Sequence, residues 1–232
     1  MGPGPITPTD STTIKRLPAR AASTWDTIAA ILDEGFVCHI GFVGSDGRPY
    51  VIPTAYARVD DMLFLHGSPA SRMLRTLAGG VDICVTVTLV DGFVLARSAF
   101  HHSLNYRSVV VLGRAVEEKD AAVKAAALNT FVDHIVAGRA ADTRPPSEQE
   151  LRKTTVLRLP LREASAKVRT GPPIEEPADL DLPVWGGVVP LWLHAGNPEA
   201  DGQGTAGTVA QPEYVRVNQP ARPAAMPSRS PA

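Results

Sequence analysis

The chain has 232 residues, 44% of them hydrophobic and 20% charged, the balance of an ordinary globular protein. Its formal net charge is −1 at pH 7, which excludes the basic footprint needed for nucleic acid or an anionic membrane surface. No apolar run approaches the roughly 20 residues of a membrane span. The N-terminal "MGPGPITPTDSTTIKRLPAR" lacks the hydrophobic segment of a secretory signal and the Ser or Thr of a myristoylation site. A cytoplasmic protein is therefore expected. Cys38 and Cys84 lie in apolar runs without metal-type spacing. They read as small buried hydrophobes, with a disulfide as the alternative.

Residues 1–20 are rich in Pro and Thr and read as a flexible arm. "STWDTIAAILDEG" predicts a helix: Trp25, Ile28, Ala29 and Leu32 share one face, Ser23 and Asp26 resemble a capping box, and Gly35 is placed to stop it. The period then changes to that of strands. "FVCHIGFVGSDGRPYVIPTAYARV" predicts two strands joined at Asp46-Gly47, and Asp60-Asp61 turns into a third that ends in "LFLH". A short helix near residues 70–77 is stopped by Gly79-Gly80. "VDICVTVTLV" predicts a fourth strand, Asp91-Gly92 a turn, "FVLARSAF" a fifth strand, and "YRSVVVLGRAVEE" a long sixth.

From Lys119 to about Ala140 a helix is expected, with Val123, Ala127, Phe131 and Ile135 on its buried face. Ser147 and Glu150 have capping-box spacing at the start of another short helix. "TVLRLPLREASAKVRT" reads as a strand in which Pro160 marks an edge or a bulge. After Trp192 the composition shifts to Gly, Ala, Pro, Gln and Ser. Residues 195–232 thus read as a disordered tail and residues 21–194 as one domain. Successive strands with few helices between them argue for an antiparallel barrel rather than a βαβ sheet.

Four segments could carry chemistry. In "LFLHGSPASRML", Gly67, Ser68, Ser71 and Arg72 stand where a strand hands over to a helix. That is a phosphate cradle, or a plainly capped helix with a solvated arginine. Pro53 and Thr54 interrupt a β-rich run, as at an edge or at a bulge lining a site. "AFHHSLNYRSVVV" gathers His101, His102, Asn105, Tyr106 and Arg107. The adjacent histidines point to opposite faces of a strand and lack a carboxylate or cysteine at tight spacing, so they are not read as a metal site. Trp185 in "PVWGG" is a packing anchor or a lid over a planar ligand. Nucleophile-elbow, P-loop and dinucleotide fingerprints are absent.

Taken in order, "GFVCHIGFVGSDGRPYVIPTAYAR", "LFLHGSPASRML", "ICVTVTLVDGFVLARSAFHHSLNYRSVVVLGRA" and "EASAKVRTGPP" followed by "LPVWGGVVPL" resemble a known family. It is the flavin-nucleotide-binding, pyridoxamine 5'-phosphate oxidase-like family of FMN-binding split barrels, in the branch related to nitroimidazole-resistance reductases. The resemblance spans about residues 15–192. It implies a mainly β protein with flanking helices, a six-stranded antiparallel split barrel, and a homodimer holding FMN at its interface.

By the same resemblance, Ser71 and Arg72 would bind the phosphate, and Pro53 and Thr54 would run beside the flavin ring. His66, Gly67 and Ser68 would flank the ribityl chain or the ring. Asn105, Tyr106 and Arg107 would reach the cofactor from a neighbouring strand, and Trp185 would cover it. His66 also resembles the histidine near the reactive centre of nitroimidazole-type members. The oxidases carry an Arg-Lys pair where this chain has Arg72-Met73, so Arg75 or Arg107 would have to substitute. Lys167 and Arg169 are the nearest cations to the oxidases' substrate-binding arginine. Pyridoxamine phosphate is accordingly not expected as substrate.

The leading expectation is an FMN-dependent oxidoreductase. It would take electrons from a reduced nicotinamide to a small, planar or nitro-aromatic acceptor, with His66 as proton donor. The alternative is a non-enzymatic binder or sensor of haem or a deazaflavin (F420), with the "FHHS" loop supplying an axial ligand.

Overall fold

Apolar residues alternate with exposed ones along most strands, and this alternation sorts the chain into an inside and an outside. The computed structural model describes residues 6, 9–22, 24–203 and 209–217. Helix α1 (Trp25–Glu34) leads into β1 (Val37–Val43) and β2 (Pro49–Ala55). These pair around the expected turn, where Gly47 adopts φ +73°, a conformation costly for any residue with a Cβ. Strands β3 (Ala57–Val59) and β4 (Met62–Gly67) follow, turning at Asp60 as expected. Next come α2 (Arg72–Ala78), β5 (Asp82–Leu95), β6 (Ser103–Arg114), β7 (Val116–Glu117) and α3 (Ala121–Ile135). The remainder is α4 (Arg139–Asp142), α5 (Glu148–Arg152), β8 (Thr155–Pro160), β9 (Glu163–Arg169), β10 (Gly187–Pro190) and α6 (Glu213–Val217).

Among the described residues the strands form two antiparallel sheets. One runs β2-β1-β5-β6-β9, with β10 added to the far half of β5; the other runs β3-β4-β8-β7. The fold is a split β-barrel with flanking helices. Ile40, Val85, Val111 and Ala166 of the first sheet face Leu63, Leu65, Leu157 and Leu159 of the second across one core, with Ile28 and Leu32 of α1 and Leu77 of α2. A smaller cluster lies on the other side of the second sheet, where Phe64 and Val156 meet Ala127 and Phe131 of α3.

Several expectations need correction. Asp91-Gly92 is not a turn. The predicted fourth and fifth strands are the single strand β5, and a β-bulge shifts the register against β6 between Val90 and Gly92. Turn-favouring residues are also tolerated in bulges, so the dipeptide alone did not discriminate. Helix α1 is capped by Thr24, whose hydroxyl accepts from Thr27 N; Ser23 lies outside the described residues. On α3 only Ala127 and Phe131 are buried, while Val123 and Ile135 are exposed, because the helix meets the sheet along its middle turns alone. The segment read as one strand around Pro160 is two strands, β8 and β9, joined by a tight turn and paired into different sheets. Pro160 closes β8 opposite Met62, at a strand end where a missing donor costs little. The Ser147–Glu150 capping box is present.

The N-terminal segment is tied to the barrel by an Ala21–Lys167 bridge. In the tail, the Tyr214 hydroxyl donates to Asp142 at 2.5 Å. No helix among the described residues is long and apolar enough to cross a membrane.

Candidate functional site

The residues singled out in the sequence spread along β5, with Arg72 near its start, Pro53 and Arg107 level with its middle, and Asn105 near its end. Register fixes their separation. Tyr50 of β2 pairs with Phe42, which pairs with Ile83 near the start of β5. Asn105 pairs with Gly92 near its end. At ~3.3 Å per residue the two ends lie about 30 Å apart.

The near end is the corner of β2, β4 and α2. Ser71 caps α2, its hydroxyl accepting from Leu74 N at 3.4 Å, while Ser68 Oγ accepts from Ala70 N at 3.2 Å. Ser71 N donates to Ser68 O at 2.9 Å, closing the turn that Pro69 begins. Arg72 is exposed and forms no salt bridge among the described residues. Its guanidinium lies 4.6 Å from the centroid of the Tyr50 ring. The Tyr50 hydroxyl donates to Asp46 at 2.7 Å. That bond, followed by the Arg48 amide, holds the Asp46 carboxyl below its ordinary range. Pro53 sits on the exposed face of the edge strand β2 opposite His39, and Thr54 is half-buried beside it.

His66 alternates with the inward-facing Leu65 and Gly67, so its ring turns away from the barrel interior toward α3. It packs 4.1 Å from the Phe131 ring. Its Nδ1 is buried without a hydrogen-bond partner among the described residues. Burial holds the imidazole below its ordinary pKa and favours the neutral ring.

The middle and far end are more tightly bound. Arg107 donates to both Glu34 at the end of α1 and Asp91 at the bulge. These two carboxylates, Glu34 first, raise the Arg107 pKa and commit its charge to the fold. Asn105 is buried, accepting from Arg169 and donating to Gly171 O at 3.2 Å. Tyr106 pairs with Arg169 on the outer face of the first sheet. Arg97 donates through its backbone N and Nη1 to Glu175, whose side chain is only 6% exposed. Arg97 Nε and Ser98 Oγ are nonetheless buried without partners.

The ring of His102 bonds through Nδ1 to Ser98 O at 3.0 Å, which leaves Nε2 available. Trp185 is 65% exposed and folded over Gly187, where a Cβ would come within 2.6 Å of the indole. One chain therefore gathers Gly67, Ser68, Ser71 and Arg72 with His66 close by, and sets Pro53 and Thr54 three and four residues further along β2 from Tyr50. It places Asn105, Tyr106, Arg107 and Trp185 elsewhere.

Sequence reasoning missed the Tyr50–Asp46 support under Arg72, although Asp46 stands four residues before Tyr50 across a recognised hairpin. It also missed Glu175, which lies 78 residues from Arg97 and carries no local signal.

A family model described as pyridoxamine 5'-phosphate oxidase matches residues 24–168. The chain belongs to that family. Two solved structures share its architecture along nearly their whole length. The flavocytochrome Anf3 from Azotobacter vinelandii is 40% identical, over 92% of this chain and 98% of that one, with a TM-score of 0.85. The FAD and haem binding protein from Mycobacterium smegmatis is 33% identical, over 86% and 97%, with a TM-score of 0.81. A candidate 5-nitroimidazole antibiotic resistance protein from Bacteroides thetaiotaomicron, 24% identical over 64% of this chain and 86% of that one, shares the fold at a TM-score of 0.55. No curated protein matches the sequence.

Proposed function

We propose that the protein is a flavin- and haem-binding oxidoreductase that takes electrons from a reduced nicotinamide and delivers them to a small acceptor. The observation that carries this reading is the 40% identity to a flavocytochrome across 98% of its length, joined to a donor set that suits both groups.

The flavin nucleotide, FMN or FAD, would be anchored at the near end. Arg72 is a cation in no salt bridge among the described residues, braced by Tyr50, beside the Ser68 and Ser71 hydroxyls. Pro53 and Thr54 would line the ring along the edge strand. Arg75 would supply the second charge, because Arg107 is already engaged by two carboxylates.

For haem, His102 is the best-suited ligand. A histidine whose Nδ1 is held by a backbone carbonyl presents Nε2 to a metal in a fixed orientation. Phe100, 90% exposed, and Trp185 would supply apolar cover. The unpartnered Arg97 Nε and Ser98 Oγ beside them are polar atoms that a bound group could satisfy. Bound flavin supplies transfer of a hydride and then of single electrons, and bound haem carries single electrons. His66, neutral and with Nδ1 unpartnered, would hold or accept a proton near the ring. A nitro-aromatic molecule is one acceptor of suitable size and planarity.

We further propose that the protein is a homodimer and works in the cytoplasm. The outer face of the first sheet exposes Val37, Val43, Val51, Val90, Phe93 and Leu104, an apolar surface of the kind that marks an interface. An isologous two-fold contact across it would set the far end of one protomer against the near end of the other, completing from two chains the set that one chain splits. The thiols Cys38 and Cys84 are free, which suits a reducing compartment.

The absorption spectrum after reconstitution with FAD and haem tests the reading. A two-band flavin spectrum together with a Soret band is expected, and His102→Ala should abolish the Soret band while retaining flavin. A protein that takes up neither group would overturn it.

A further inference from the structure

Arg169 is the one arginine among the described residues that is fully buried, at 5% exposure. It is also held by neutral groups alone. Its Nη1 donates to Asn105 Oδ1 and to Gly171 O at 3.4 Å, and its Nη2 donates to Pro172 O at 3.3 Å. The half-buried arginines of the same barrel are treated differently: Arg58 faces Asp33, Arg97 faces Glu175, and Arg107 faces Glu34 and Asp91. A cation removed from water without an anion is costly, and natural folds supply the counter-charge.

The nearest charge here has the same sign. The N-terminal segment crosses β9, Ala21 bridging Lys167 and Ala22 N donating to Ala166 O at 3.0 Å. This backbone pairing delivers Arg20, at the end of the 3₁₀ turn Pro18–Arg20, to the neighbourhood of Arg169. Between them opens a cavity of about 200 Å³, lined by Ala19, Arg20, Val168, Arg169, Thr170 and Ile174 with Pro172. Arg20 likewise forms no salt bridge among the described residues.

We propose that Arg20 and Arg169 form a binding site for a single oxyanion group, a phosphate or a carboxylate, where the N-terminal segment meets the end of β9. Two guanidinium groups around one small cavity suit an oxyanion, because each offers a planar pair of donors to two oxygens. The cavity lies below the roughly 300–1000 Å³ of pockets that enclose a whole drug-sized ligand, so it would hold one group and not a cofactor. Burial, and then the Arg20 charge, press the Arg169 guanidinium below its ordinary pKa, and a bound anion would relieve both. This site is independent of the Arg72 anchor and does not require it.

The test is a calorimetric titration of the full chain with inorganic phosphate at low ionic strength, in cofactor-free and cofactor-loaded forms. A saturable phosphate-binding step that Arg20→Gln weakens at least tenfold, and that Arg20→Lys partly restores, is expected. Arg20 is the residue to vary because Arg169 also supports the fold through Asn105. An unchanged melting temperature of Arg20→Gln confirms that the fold persists. Phosphate bound by the cofactor-free protein but excluded from the loaded one would identify the anion as part of the cofactor. Phosphate bound by both would identify a free anion. No saturable step, or a step indifferent to Arg20→Gln, would overturn the site. Flavin and haem absorbance, read on the same samples, reports separately on the proposed function.

Discussion

Arg72, near the start of β5, and Arg107, beside its middle, illustrate two situations of an arginine. Arg107 is spent on structure: two carboxylates from different elements converge on it and tie α1 to the bulge. Arg72 is exposed, rests on one aromatic ring, and forms no salt bridge among the described residues. The same residue type in the same resemblance thus divides into a brace and a proposed anchor, and only the partners tell them apart. The far end around Asn105, Arg169 and Glu175 is dense with hydrogen bonds. The near end is open.

The largest effect on stability should come from the layer behind His66. Phe131→Ala should cost about 3–5 kcal/mol, lowering the melting temperature by on the order of 10 °C for a chain of this size. It should also bring the His66 pKa back toward its ordinary value, read by NMR of the imidazole protons. If the pKa stays low, burial by Phe131 is not its cause.

Next is the brace itself. Arg107→Ala leaves Asp91 and Glu34 without their cation and should cost about 2 kcal/mol, with a proportionate fall in melting temperature. Flavin uptake per folded molecule should hold, since the Arg107 charge is engaged by Glu34 and Asp91. Selective loss of flavin instead would move Arg107 back into the site.

A smaller effect is expected on pH dependence. His66 has a folded pKa below its unfolded value, so the unfolded chain binds more protons in the window between them. Stability from this group is complete above about pH 6.5, near the unfolded imidazole. It falls as pH drops through that value toward the folded pKa. Chemical denaturation at several pH values should show this slope, and His66→Gln should flatten it. An unaltered slope would assign the effect to another group.

How much of this was legible beforehand depended on range. The hairpins, the Asp60 turn, the Ser147–Glu150 box and the strand-to-helix handover at Ser71 are local, and local pattern is enough to find them. The bulge at Gly92 is not legible locally, because the same dipeptide serves turns and bulges, and only pairing with β6 decides between them. The buried face of α3 is shorter than its apolar pattern, since periodicity shows which side of a helix is apolar but not where the sheet beneath it ends. The engagement of Arg107 is not legible locally, because its partners, Glu34 and Asp91, lie 73 and 16 residues away. Arg169 was noticed as a cation, but its burial and its lack of a carboxylate are tertiary facts.

The proposed anchor, Arg72, should give the smallest structural effect and the sharpest functional one. Arg72→Ala is a surface change and should alter the melting temperature by no more than about 2 °C. The decisive measurement is therefore flavin affinity set beside melting temperature for the wild type and Arg72→Ala. The account predicts at least a tenfold loss of flavin affinity with the melting temperature preserved. Equal losses in both, or no loss in either, would contradict it.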